Sequence, residues 1–236
     1  VASGLTLRIF PDPQSVAREA AARIHSLIVA KTAGGGFSLA LSGGNTPRLL
    51  YQRLAEDYRD RIPWARVHIY WSDERYVPHD DPRSNYRTAR ETLLDHVPVP
   101  PACVHPMPTD AADPDQAARR YERVLPPSFD LVLLGMGSDG HTASLFPGSS
   151  ALDETRRRVV ASEAPVEPRV RLTLTLPALN GAEAVFFLVT GADKAPAVRR
   201  IAMESPDPRA CPAAGVRPRR GAVVWWVDAA AASALR

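Results

Sequence analysis

The stretch Asp130-Leu131-Val132-Leu133-Leu134-Gly135-Met136-Gly137-Ser138-Asp139-Gly140-His141 decides how the rest of the chain is read. Its apolar run, with no polar alternation, is the pattern of a strand covered on both faces, which means a parallel sheet between helices. The glycine-rich turn after it places an acid and a histidine at the carboxyl end of that strand, where open parallel sheets gather their ligands. Outward from this stretch, short β-rich runs alternate with helical patterns. On the N-terminal side, Leu5 to Phe10 reads as a strand, and Asp12-Pro13 caps a helix with Val16, Ala20, Ile24, Leu27 and Ile28 on one face, stopped at Gly34-Gly35-Gly36. A strand over Phe37 to Leu41 follows, then a helix from Thr46-Pro47 to about Leu54 and a strand over Val67 to Trp71. A polar loop to Ser84, a helix from Asn85 to Leu94, a Pro-rich connector over Val97 to Pro108 and a helix from Asp113-Pro114 to near Pro126 complete that half. On the C-terminal side, strands are expected over Val159 to Ser162, Arg171 to Thr175 and Ala184 to Val189, and a helix from Asp193 to about Met203. Cys211 to Arg220 reads as loop, Val223 to Val227 as a last strand and Ala229 to Leu235 as a terminal helix. The pattern predicts an α/β fold with a largely parallel sheet, and with no linker or repeat the chain reads as one domain, 1–236.

Composition narrows the class of function. A chain of 236 residues, 45% hydrophobic and 23% charged, is long enough for one core and is not disordered in character. The net charge of +3 is too balanced for a nucleic-acid footprint, and the runs Arg156-Arg157-Arg158 and Arg217 to Arg220 lack interleaved aromatics, so no nucleic-acid partner is expected. Cys103 and Cys211 match no metal or redox spacing, no apolar run reaches membrane-spanning length, and the N-terminal segment lacks a basic-then-apolar signal pattern. A cytoplasmic protein with no membrane association, working as a monomer, is expected. Of the 29 Lys plus Arg, 27 are Arg, leaving only Lys31 and Lys194, and Asn occurs only at 45, 85 and 180. Positions that keep Lys or Asn against such a bias merit inspection.

Three strand ends carry dense polar or glycine-rich segments: Ser42-Gly43-Gly44-Asn45-Thr46-Pro47, Ser72-Asp73-Glu74-Arg75, and Gly135 to His141. The first is a Gly-Gly turn running into a helix start, whose successive backbone N–H groups suit an anion; a tight turn that binds nothing would look the same. It lacks the Gly-Lys-Ser/Thr ending of a Walker A loop. The third matches Gly-x-Gly-x-x-Gly, but Pro147-Gly148 interrupts the helix that a dinucleotide site needs. Asp139 and His141 suit general-base chemistry, an imidazole taking a proton while a carboxylate holds its tautomer. His25 and His68 read as structural, and His79, His96 and His105 as solvated. Lys194, after Gly191-Ala192-Asp193, reads either as a compact charge aimed at an anion or as a chance survivor of the Arg bias. Arg75 and Arg171 read either as bidentate phosphate contacts or as surface ion-pairing groups. No nucleophile elbow and no Cys/His metal cluster is present in the sequence.

The segments Leu41 to Pro47, Trp71 to Pro78, Ser84-Asn85-Tyr86 and Leu134 to Pro147 together resemble the 6-phosphogluconolactonase family, which shares a superfamily with glucosamine-6-phosphate deaminases. Arg171 to Pro177 and Gly191-Ala192-Asp193-Lys194 continue the likeness in the same order. The resemblance implies a modified Rossmann-like α/β sandwich of the NagB/RpiA/CoA transferase-like type with a mostly parallel central sheet. It implies hydrolysis of 6-phospho-D-glucono-1,5-lactone to 6-phosphogluconate in the oxidative pentose phosphate pathway, with no cofactor and no metal. It further implies that His141 is the general base and Asp139 its orienting partner. Arg75, Lys194 and Arg171 are then ligands of the sugar phosphate, with Ser42, Gly43, Gly44, Asn45 and Thr46 lining the same pocket and Asp73 beside them. Two rivals stand next to this: a deaminase or isomerase on the same scaffold, and a non-catalytic sugar-phosphate sensor. The deaminases resemble the histidine loop but carry Glu one residue before its Pro, where this chain has Phe146; Asp73, in contrast, matches their proton-shuttling Asp.

Overall fold

A computed structural model describes residues 5–235 of the chain. Residues 1–4, at the start of the N-terminal segment that lacks a signal pattern and at one end of the expected domain, and residue 236 at the other end lie outside the described residues. Leu131–Leu134 (β5) is the strand its composition predicts, with all four side chains fully buried. Such burial stabilises by about 1.5–3 kcal/mol per side chain, which fixes this strand as the centre of the fold. It pairs in parallel with Phe37–Leu41 (β2) on one side and Ala184–Val189 (β8) on the other. Among the described residues, Thr6–Phe10 (β1), Val67–Trp71 (β3) and Ala222–Asp228 (β9) complete a parallel sheet in the order β1-β9-β8-β5-β2-β3. The helices Pro13–Thr32 (α1), Asn45–Tyr58 (α2), Asn85–Thr92 (α3), Pro114–Glu122 (α4), Leu176–Leu179 (α5) and Ala195–Glu204 (α6) flank the strands. α1 starts as expected, the Asp12 carboxylate accepting the Ser15 N–H at 2.7 Å, and buries Val16, Ala20, Ile24 and Ile28; Leu27 is half-buried.

Three expectations need correction. The segment after Trp71 is not all loop: Asp73–Arg75 (β4) forms a short strand. It pairs with Val170–Leu174 (β7), which pairs with Val159–Glu163 (β6), giving a second, antiparallel sheet in the order β4-β7-β6. The link from β6 to β7 is too short for a parallel crossover, so these strands cannot join the parallel sheet next to one another. Ser72 is the joint between the sheets, its N–H donating to Leu41 O and its carbonyl accepting from Leu174 N. The expected terminal helix is only a 3-10 turn over Ser233–Leu235. So short a segment cannot sustain helix on its own, and the Asp228 carboxylate takes the Ala231 N–H directly. Finally, His79 and His105 are half-buried, with His79 Nε2 facing Met107 O at 2.9 Å and the His105 ring stacked on Tyr70 at 4.5 Å. His96 is exposed, as expected.

The strand order places a topological switch between β2 and β5: the chain moves outward to β3 from one and toward β8 and β9 from the other. A crevice at the carboxyl ends of these two strands follows from the connectivity itself.

Candidate active site

That crevice is a cleft of about 390 Å³. It collects Ser42 to Pro47 after β2, Gly135 to Gly137 and His141 after β5, and Thr190, Asp193 and Lys194 after β8. The second sheet closes it, contributing Asp73 and Arg75 from β4. Of the residues expected in the site, Ser42, Gly43, Gly44, Asn45, Thr46, Asp73, Arg75, His141 and Lys194 line the cleft. Asp139 and Arg171 are not among the lining residues: Asp139 is paired with His141, and Arg171 is buried as the cross-strand partner of Arg75.

The histidine loop is built to hold one imidazole. Asp139 Oδ1 faces His141 Nδ1 at 2.6 Å and also accepts the His141 backbone N–H at 3.0 Å. The loop closes on itself through Gly137 N to His141 O and Gly140 N to Gly137 O. At Gly137 a Cβ would overlap the imidazole and reach Asp139 Oδ1 at 2.5 Å, so only glycine lets the ring and carboxylate meet over the backbone. Gly140 has φ +85°, and its carbonyl accepts from Ala213 N at 3.0 Å, which braces the turn from beneath. Partial burial works to raise the Asp139 carboxyl, but the two His141 hydrogen bonds and the imidazole charge outweigh it and hold it below the usual value. The carboxylate is therefore ionised at neutral pH and fixes a proton on Nδ1, which leaves Nε2 as the basic nitrogen. The loop is followed by no α-helix, only by a 3-10 turn over Ser150–Asp153, so the dinucleotide pattern stays formal.

The anion side has three parts. Tyr51 from α2 pins the Gly-Gly turn by donating to Ser42 O at 2.5 Å and accepting from Ser42 N at 2.9 Å. Gly44, with φ +108°, then caps α2 with no side-chain bond to the first N–H groups. On the second sheet, Arg75 and Arg171 are direct cross-strand partners, so their side chains share a face. Like charges in that register repel, and among the described residues neither forms an ion pair. Burial and the neighbouring Arg75 both pull the Arg171 guanidinium below its usual value. Two adjacent guanidinium groups with no ion-pair partner among the described residues suit an anionic ligand. Lys194 lies at the third strand end with Nζ 2.9 Å from Asp193 Oδ2. The other lysine is structural: Lys31 reaches Asp130 Oδ1 at 3.0 Å and Glu183 Oε2 at 3.2 Å.

Alternation along β4 turns Asp73 and Arg75 one way and Glu74 the other. Asp73 is buried, with Oδ2 accepting from Ser144 Oγ at 2.7 Å and Oδ1 near Asn85 Nδ2 at 3.3 Å. Glu74 accepts from the backbone N–H groups of Arg75, Asn85 and Tyr86, each at 2.7 Å, and so fixes the start of α3. Its burial pushes that carboxyl up, against the pull of those three donors. Asn85, Thr190 and Asp193 also line the cleft but carry no expected role from the sequence. For Asn85, its scarcity as a residue type and its place in the Ser84-Asn85-Tyr86 motif were the available signal. Among the described residues, no group of three or more His, Cys, Asp or Glu is arranged to hold a metal ion.

The chain matches the family described as glucosamine-6-phosphate isomerases/6-phosphogluconolactonase over residues 11–225. It belongs to that family. Within it, a 6-phosphogluconolactonase of Synechocystis sp. is 46% identical over 212 residues, covering 86% of each chain. The solved structure of 6-phosphogluconolactonase from Trypanosoma brucei superposes with a TM-score of 0.85 at 31% identity, covering 98% of this chain and 99% of that one. A monomeric glucosamine-6-phosphate deaminase of the NagB superfamily superposes with a TM-score of 0.84 at 22% identity, over 98% of this chain and 100% of that one. That last likeness shows the fold alone, an α/β fold with a mostly parallel central sheet.

Proposed function

We propose that the chain hydrolyses 6-phospho-D-glucono-1,5-lactone to 6-phosphogluconate with water activated by His141. The observation that carries this reading is an imidazole oriented by a carboxylate at 2.6 Å, in the same cleft as Arg75 and Lys194. Nε2 takes a proton from water as the water oxygen attacks the lactone carbonyl. The tetrahedral oxyanion then collapses, the C1–ring oxygen bond breaks, and the imidazolium returns its proton to the departing ring oxygen. Asp139 stabilises the imidazolium between these steps. Arg75 and Lys194, with the N–H groups of the Ser42 to Thr46 turn, take the phosphate, and Arg171, buried as the cross-strand partner of Arg75, adds its positive charge beside them. Binding energy from that remote group positions the lactone, and an activated ester needs little more than general-base help of about 10²–10⁴.

Phe146 weighs against deamination. Its ring lies 4.8 Å from the His141 ring, so an apolar group covers the imidazole where the deaminases are expected to carry an acid. The oriented Asp139–His141 pair likewise weighs against a silent sensor. Among the described residues no helix is long and apolar enough to cross a membrane. We read the chain, 1–236, as one catalytic domain acting as a cytoplasmic monomer on a small sugar phosphate, without nucleic acid. The test is a coupled assay on freshly made lactone, corrected for spontaneous opening and run beside glucosamine 6-phosphate. Accelerated lactone opening with no ammonia release is expected; ammonia release without lactonase turnover would overturn the reading.

A further inference from the structure

Asn85 is 3% exposed and stands at the cleft wall, at the first position of α3. Its Nδ2 donates to Asp73 O at 2.9 Å and approaches Asp73 Oδ1 at 3.3 Å. Its Oδ1 is buried and meets no donor among the described residues. What it meets is Gly43: a Cβ there would overlap Oδ1 and lie within 2.6 Å of Cγ. Gly43 itself is not among the glycines with a left-handed backbone, unlike Gly44 beside it. Its lack of a side chain is therefore demanded by Asn85 and not by local conformation. From Asp73 the connection continues through Ser144, whose hydroxyl donates to Asp73 Oδ2 at 2.7 Å and which lies three residues beyond His141.

We infer that Asn85 is a positioning residue for the reaction: its amide seats the Gly43-Gly44 turn against Asp73, and Asp73 carries that seating through Ser144 to the histidine loop. The spacing between the anion turn and His141 is thus set by one buried amide–carboxylate–hydroxyl chain. Asp73, with both oxygens engaged in that chain, serves as its middle member and not as a phosphate ligand. The inference rests on the lactonase reading for its assay but is separable from it.

The test is a double-mutant cycle on the full chain. Gly43→Ala forces the turn away from Asn85 and is expected to lower kcat/KM about 100-fold, Asn85→Ala about tenfold. In the double variant the overlap is gone, and activity equal to Asn85→Ala alone, within about twofold, is expected. Losses that multiply to about 1000-fold, or a Gly43→Ala protein as active as wild type, would overturn the proposal. Should Gly43→Ala fail to fold, Asn85→Asp decides, because it keeps the shape but turns an oxygen toward Asp73. Its kcat/KM relative to wild type is expected to rise as pH is lowered from about 8 to 6, since a shared proton restores the bridge. Glu74 behind the pair, Arg75 and Arg171 along the second sheet, and Asp139–His141 on the histidine loop are common to both proteins and cancel in that ratio. A ratio that does not change with pH would overturn the positioning role. A wild-type protein without lactonase turnover would instead sink the functional reading, so the two failures are distinguishable.

Discussion

Asp139→Asn isolates what the carboxylate charge does. Oδ1 accepts both the His141 backbone N–H at 3.0 Å and the ring Nδ1 at 2.6 Å, and an amide oxygen can accept both in the same place. The backbone N–H opposes an amide flip, so the tautomer is preserved and only the charge is lost. At about 4 Å between charge centres, the attraction to an imidazolium is about 4 kcal/mol at an effective dielectric of 20 and about 1 kcal/mol in water. The two side chains are 34% and 45% exposed, so screening places the loss between these limits, at about 2 kcal/mol. That is about thirtyfold in kcat. Initial rates of 6-phosphogluconate formation, corrected for spontaneous opening, measure the loss. Undiminished kcat would show that Asp139 does not act on the imidazole charge.

Other perturbations separate binding, loop geometry and folding. Lys194→Ala is expected to raise KM for the phosphorylated lactone about tenfold or more while changing KM for unphosphorylated gluconolactone little; equal effects on the two would remove Lys194 from the phosphate site. Gly137→Ala places a methyl group into the His141 ring, and about 100-fold loss of kcat with a thermal midpoint near wild type is expected; unaltered turnover would contradict the loop geometry. Glu74→Gln leaves at least one of the three backbone N–H groups at the start of α3 without an acceptor, which costs about 1–3 kcal/mol in urea unfolding. Stability within about 0.5 kcal/mol of wild type would show that water replaces that acceptor.

The parallel sheet was legible because its strands are apolar throughout. Leu131–Leu134 and Ala184–Val189 have no polar face to hide, and Asp12-Pro13 and Gly34 punctuate α1 in the chain itself. The second sheet was less legible for the opposite reason. Asp73-Glu74-Arg75 is three charged residues, and nothing local marks it as a strand; its pairing with β7 depends on Ser72 handing the chain from one sheet to the other. The terminal alanines favour helix by propensity, and tertiary docking overrides it. In the site, glycines, Asp139, His141 and the rare Lys194 could be singled out because each stands at a strand's end. Asn85 could not be given a role, since its work is done across space, against Gly43 in another motif. The cross-strand placement of Arg75 and Arg171 is likewise a consequence of register, which a linear reading of two isolated arginines does not contain.

The central claim is that His141 activates the water. The most direct measurement is single-variant kinetics and binding on His141→Ala, with turnover of fresh 6-phospho-D-glucono-1,5-lactone set beside calorimetric affinity for 6-phosphogluconate. A loss of turnover of about 10²–10⁴ is expected, with affinity for the product within about threefold of wild type. Wild-type turnover in that variant would contradict His141 as the base.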